Sequence, residues 1–223
     1  MQIITTNDGS HTLYLPEIKE HYHSVNGAIT ESEYVYISNG YNFHKSQNPA
    51  VFEAGFGTGL NCLLTALQAE HDKRLTSYFA IEKFPLQKII TKQLNFGSLI
   101  SENARLIFDK IHDCPWNEIY CVSEYFKLFK IEGDLIDINL TPFEKCDIIY
   151  FDAFGPDKQP EMWTPGIFRK IYSITSPGGL IVTYSAKGEV RRQLAACGFE
   201  MERLPGPPGK NQMLRGIKIS PKI

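Results

Sequence analysis

The chain has 223 residues, of which 43% are hydrophobic and 22% charged, enough for one α/β domain with a full core and a small appendage. A net charge of −2 and the lack of any apolar run near ~18 residues argue against a uniformly basic nucleic-acid binder and a membrane-spanning chain. The opening Met1-Gln-Ile-Ile-Thr-Thr-Asn-Asp8 has no basic region leading into an apolar core, and the five cysteines are scattered without C-x-x-C spacing, so a reducing cytoplasm and no metal cluster are expected.

Residues 1–45 differ from the rest of the chain. Asp8-Gly9 and Asn26-Gly27 are turn dipeptides, and Tyr34-Val-Tyr-Ile37 is a β-branched and aromatic run, so this segment reads as a β-rich extension with a partly helical stretch, packed beside a main domain over 46–223. From Ala50 onward strand and helix alternate. Ala50 to Ala54 is a buried strand that breaks into Gly55, Gly57 and Gly59, and a helix near 59–70 follows with Leu60, Leu63, Leu64 and Leu67 on its apolar face. A second strand, 75–81, ends in Glu82, and a helix starts at Pro85, where the first turn has no donor to lose. Residues 98–125 read as mainly helical. Strand three, 126–131, ends at Glu132-Gly133-Asp134, and strand four, 147–151, ends at Asp152. A helix near 164–175, strand five over 180–184, a helix over 187–197 and strands near 199–203 and 213–219 complete a seven-stranded mixed sheet. The last two strands, joined through Leu204-Pro-Gly-Pro-Pro-Gly-Lys210, read as a hairpin with an antiparallel final strand.

Strand, glycine turn and helix form the nucleoside-binding corner of an open α/β sheet, and ligands lie at the carboxyl ends of the strands. The spacing G-x-G-x-G, with Glu53 inside the strand end, departs from the dinucleotide fingerprint G-x-G-x-x-G and resembles the first motif of S-adenosylmethionine (SAM) dependent methyltransferases. All four of the first strand ends carry an acid: Glu53, Glu82, Asp134 and Asp152. Glu82 is placed to accept bonds from ribose hydroxyls, Asp134 from an adenine amino group, and Glu53 lies near a methionine ammonium, acting through backbone or water. Asp152-Ala-Phe-Gly-Pro156 would line the pocket mouth, with Phe154 as a stacking surface and Asp152 holding a nucleophile.

Charge is uneven. Residues 1–156 hold 12 Lys/Arg against 20 Asp/Glu, and residues 157–223 hold 11 against 5. A basic face toward the C-terminal end fits phosphates; an ordinary solvated surface fits as well.

Several further blocks carry a closer resemblance. Phe56-Gly-Thr-Gly-Leu-Asn61, Glu82-Lys83-Phe-Pro-Leu86, Asp152 through Pro165, Pro177-Gly-Gly179, Ser185-Ala186, Val190-Arg-Arg192, Gly198-Phe199 and Gly209-Lys-Asn-Gln-Met-Leu214 occur in order over nearly the whole chain. This pattern resembles the methyltransferase domain of the MnmC family of tRNA 5-methylaminomethyl-2-thiouridine biosynthesis proteins, and its stand-alone MnmD form. The resemblance implies a Rossmann-like class I SAM-dependent fold, SAM as cofactor and tRNA as partner. It implies N-methylation of 5-aminomethyl-2-thiouridine at the wobble position, with Asp152 as catalytic residue. It implies cofactor contacts from Glu53, Gly55, Phe56, Gly57, Thr58, Gly59, Asn61, Glu82, Lys83, Gly133, Asp134 and Asp152. Phe154, Lys158, Lys187, Arg191, Arg192 and Lys210 are the implied substrate and RNA contacts. The family's bifunctional form adds a flavin oxidase, for which this length leaves no room, so methylation alone is expected. A polyamine aminopropyltransferase and a non-catalytic SAM-fold RNA-binding module are the alternatives; the intact glycines and acids speak against the second.

Overall fold

The computed structural model describes residues 1–140 and 145–219. The extension opens with a three-stranded antiparallel sheet of β1 (Gln2–Thr5), β2 (His11–Leu15) and β3 (Glu20–His21), followed by α1 (Ala28–Ser32) and a π-helical segment, Glu33–Tyr41. The run at Tyr34–Ile37 is therefore helical rather than extended. Its bulky residues serve packing: Val35, Tyr36, Ile37 and Tyr41 are buried, and a Cβ at Gly40 would stand only 3.1 Å from Tyr150 and Val182 of the main sheet. That bare glycine lets the segment lie directly on the sheet.

The main domain runs β4 (Ala50–Ala54), α2 (Leu60–Asp72), β5 (Thr76–Glu82), α3 (Lys88–Thr91), α4 (Phe96–Ile100), α5 (Glu102–Asp113), β6 (Ile119–Ser123), β7 (Phe126–Glu132) and β8 (Cys146–Phe151). A 3-10 turn (Pro160–Trp163), α6 (Pro165–Ile174), β9 (Thr175–Thr183), α7 (Gly188–Ala196), β10 (Phe199–Pro205) and β11 (Gln212–Lys218) complete it. The strands form one sheet in the order β10-β11-β9-β8-β4-β5-β7-β6. The five from β9 to β7 are parallel, whereas β6, β10 and β11 run antiparallel to their neighbours. The α/β mixed sheet and its antiparallel final strand match the sequence reading.

The sheet has eight strands rather than seven; the added one is 119–123, within the stretch whose sequence reads as mainly helical. Pro115 closes the way to a longer helix after Asp113. Asn117, at φ 62°, then turns the chain, and the β-branched and aromatic Ile119, Tyr120 and Val122 pair with β7.

Alternation along the parallel strands divides the core in two. Val51, Tyr78, Leu128, Ile148 and Tyr150 face α2, α5 and the extension, while Phe52, Ile149, Phe151 and Ile181 face α6 and α7. Arg74, only 6% exposed, ties the end of the π-helical segment to the turn after α2. Its guanidinium donates to the carbonyls of Ser46, Tyr41 and His44 at 2.8–2.9 Å and lies 4.0 Å over the Tyr41 ring. Arg74→Met leaves these carbonyls without donors and is expected to lower stability by ~3 kcal/mol, read as a shift of the urea midpoint. No helix among the described residues is long and apolar enough to cross a membrane.

Candidate active site

The loop after β4 is set by backbone geometry that side chains resist. Gly55 has φ +94°, and a Cβ there would meet the Asp152 carbonyl oxygen at 2.8 Å. Gly59 caps α2 at φ +74°, against His112 and the Phe56 ring. The amides of Gly55 and Phe56 both donate to the Ile81 carbonyl at 3.1 Å. Two histidines clamp Thr58: His23 Nε2 meets its hydroxyl at 2.7 Å, and His112 Nε2 donates to its carbonyl at 3.0 Å. Burial pushes both imidazoles down to about 4, so at neutral pH they are uncharged clamps.

Above the loop lies a cavity of about 990 Å³, at the carboxyl ends of β4, β5, β7 and β8. Gly55, Phe56, Gly57, Thr58 and Asn61 form one wall, and Glu82, Lys83, Gly133 and Asp134 another. Glu82 is held at the rim by the amides of Gly57 (3.0 Å) and Phe84 (2.9 Å), which leave further lone pairs on both of its oxygens. Asp134 accepts from the Ile136 amide at 2.9 Å and pairs with Lys83 at 2.7 Å. Burial raises its carboxyl, but the bonds from Lys83 and Ile136 outweigh this and hold it below the usual range.

The third wall is built around Asp152. Its carboxylate accepts from the Tyr36 hydroxyl at 2.5 Å and from the Asn61 amide at 2.8 Å. Burial pushes its carboxyl up to about 7, with the charge of Glu31 adding to the shift and the two hydrogen bonds opposing it. Burial also drives the Tyr36 hydroxyl well up, so that group stays protonated and donates. Asn61 gives its second N–H to Glu53 at 2.9 Å. Glu53 itself is fully buried and lies beneath the cavity rather than in its wall. Burial raises its carboxyl strongly, against the pull of the Asn61 bond. It therefore faces the cavity through Asn61, an indirect place.

A family profile described as S-adenosyl-L-methionine-dependent methyltransferase matches residues 117–219. The chain is 31% identical over 214 residues to the tRNA 5-methylaminomethyl-2-thiouridine biosynthesis bifunctional protein MnmC of Pseudomonas savastanoi pv. phaseolicola, covering 89% of this chain and 32% of that protein. It is 30% identical to MnmC of Actinobacillus pleuropneumoniae serotype 5b, covering 88% of this chain and 32% of the relative. The crystal structure of MnmC2 from Aquifex aeolicus superposes with a TM-score of 0.82 at 25% identity, over 100% of this chain and 72% of that one. The chain is a methyltransferase domain of the MnmC family. It spans about a third of the length of the curated relatives it matches.

SAM is the cofactor of this MnmC-type domain, and the residues present fit it. The glycine loop leaves the cavity floor bare of side chains at Gly55 and Gly57, and the side-chain carbonyl oxygen of Asn61 is buried there without a protein partner. Among the described residues no group of three or more His, Cys, Asp or Glu side chains is arranged to hold a metal.

The basic residues are brought together only in part. Lys158 and Lys210 line the cavity, yet Lys158 donates to the Ile18 carbonyl (2.8 Å) and Lys210 pairs with Glu31 (2.6 Å). Lys187 lies in an adjoining shallow groove, paired with Asp157. Arg191 and Arg192, on α7, line neither space. Much of the C-terminal positive charge is thus bound internally, as Lys170, Arg215 and Lys218 also show. Phe154 stands at the mouth, edge-on to Tyr22 at 5.0 Å. The sequence reading missed Tyr22, His23, Glu31, Tyr36 and Tyr184. All but Tyr184 come from the extension, and Glu31, inside the polar run Thr30-Glu-Ser-Glu33, carried no signal in the sequence.

Proposed function

We propose that this domain methylates the primary amine of 5-aminomethyl-2-thiouridine at the tRNA wobble position, giving the 5-methylaminomethyl form. The reading is carried by Asp152: a carboxyl at the end of β8, held by Tyr36 and Asn61, whose proton affinity near pH 7 suits proton exchange. The names of the relatives, which concern this tRNA modification, support it; neither alternative activity is favoured by them.

In this reading Glu82 takes the ribose hydroxyls and Asp134 the adenine amino group. Gly55, Phe56, Gly57, Thr58, Gly59, Lys83 and Gly133 shape the cofactor seat, and Asn61, backed by Glu53, turns its free carbonyl to the methionine ammonium. Bound there, SAM supplies a methyl group activated on a sulfonium. An alkylamine has a pKa near ~10 and arrives protonated, with no lone pair to attack. Asp152 holds that ammonium, orients its nitrogen and accepts one proton. Phe154 offers a face on which the uracil ring stacks, and Lys158, Lys187, Arg191, Arg192 and Lys210 are candidates for tRNA phosphates. Glu82→Gln removes a charge-assisted acceptor and is expected to raise the Kd for SAM by ~10–100-fold, measured by calorimetry.

The decisive experiment takes tRNA from cells lacking the protein, digests it to nucleosides and analyses them by mass spectrometry. Accumulated 5-aminomethyl-2-thiouridine, converted to its N-methyl form by the purified chain and SAM, is the expected result. An unchanged wobble uridine that the purified chain leaves unmethylated overturns the assignment.

A further inference from the structure

Glu31 belongs to α1, far in sequence from the strand ends, yet it lines the same cavity while only 7% exposed. One of its oxygens accepts from the Ser24 amide at 2.9 Å. The other meets the Lys210 ammonium at 2.6 Å. That ammonium also lies 3.9 Å from the centre of the Tyr184 ring, a cation–π distance. Tyr184 is fixed in turn by its hydroxyl, which donates at 2.9 Å to the carbonyl of Ala153, the residue after Asp152. Glu31, Tyr184, Lys210 and Asp152 all line one cavity, and the charges of Glu31 and Lys210 both act on the Asp152 carboxyl.

A buried carboxylate beside an aromatic face is a seat for a primary alkylammonium, and the tip of lysine, –CH2–NH3⁺, is one. An aminomethyl group on a uracil ring carries the same tip. We infer that Glu31 and the Tyr184 ring form the seat that receives the substrate's aminomethyl ammonium beside Asp152, with Lys210 as the resident occupant that the substrate displaces. This rests on the proposed amine methylation. Lys210 has a physical reason to be there: a buried carboxylate left without a countercharge is strongly unfavourable. Exchanging one ammonium for another leaves the charge balance of the site unchanged. Lys210 also lines the adjoining groove, so an exit for its side chain is at hand. A neutral hydroxymethyl group brings no charge and cannot replace the lysine.

The test uses the full chain loaded with S-adenosylhomocysteine and follows thermal unfolding with propylamine as probe and 1-propanol as uncharged control. Lys210→Met empties the seat, so propylamine should raise its Tm by several degrees, while wild type responds weakly and Glu31→Gln/Lys210→Met not at all. In turnover with tRNA bearing 5-aminomethyl-2-thiouridine, Glu31→Gln should raise KM at least tenfold with a smaller change in kcat. Equal responses of Lys210→Met and the double variant to propylamine, or equal responses to propylamine and propanol, overturn the seat. If Glu31→Gln fails to fold, the single Lys210→Met variant still decides through its propylamine and propanol responses. A propylamine response that depends on Glu31, in a protein that does not methylate this tRNA, keeps the seat and removes the wobble-uridine assignment.

Discussion

Asp152→Asn is expected to lower kcat by ~10²–10³-fold while leaving SAM affinity within a few-fold of wild type. The side chain keeps its size and one acceptor, so the Tyr36 bond persists; what is lost is the bond from the Asn61 amide, the charge that holds the ammonium and the base that takes its proton. The pH profile separates those two losses. The Asp152 carboxyl ionises at about 7, so the wild-type rate should rise through that value and then level off, since above it the carboxylate is present to accept the proton. In the variant only amine already neutral in solution reacts, so its kcat/KM should keep climbing about tenfold per pH unit toward the amine's own pKa near ~10. A variant that levels off near 7 like wild type would mean that Asp152 is not the proton acceptor.

Gly55→Ala should be the most damaging single change to the cofactor loop. The added methyl would stand 2.8 Å from the Asp152 carbonyl oxygen, on a backbone held at φ +94°. Neither atom is the end of a flexible side chain, so the contact is relieved only by moving β4 and β8 apart or by reshaping the loop. Strain and clash together should destabilise the domain by ~3 kcal/mol, about 6–12 °C in Tm for a chain of this length. SAM affinity should fall more than tenfold, because the displaced backbone carries both the cavity floor and Asp152. Gly178→Ala is the natural control: its φ is +79°, but nothing lies within 4 Å of the added methyl, so it should show the strain without the loss of SAM binding.

Four of the five parallel strands were legible because each is an apolar run closed by an acid or a glycine, and Glu82, Asp134 and Asp152 line one cavity. Local pattern failed where tertiary packing decided. Tyr34–Ile37 has the composition of a strand, yet it helps cover one face of the sheet as a π-helical turn. Ile119–Ser123 was hidden between a strongly amphipathic helix and β7, with only five residues to announce it. The Tyr36–Asp152 bond joins residues 116 positions apart, a pairing that no periodicity encodes. Counting basic residues also misled in a specific way. The tally over 157–223 was correct, but Lys158, Lys170, Lys187, Lys210, Arg215 and Lys218 are bonded within the chain, so a sum of charges overstates what a polyanion meets.

The place of β11 bears on how the protein is made. This last strand lies between β9 and β10, both of which leave the ribosome before it. Until residues 212–218 have emerged, β10 has no partner, and Lys210 reaches Glu31 only when the loop before β11 is in place. At ~5–20 residues per second the ribosome gives the earlier segments many seconds to form before this final insertion. A nascent chain should thus expose the open edge of β9 from its own emergence until residues 212–218 follow, and methyl transfer should begin only once β11 has been threaded into the gap.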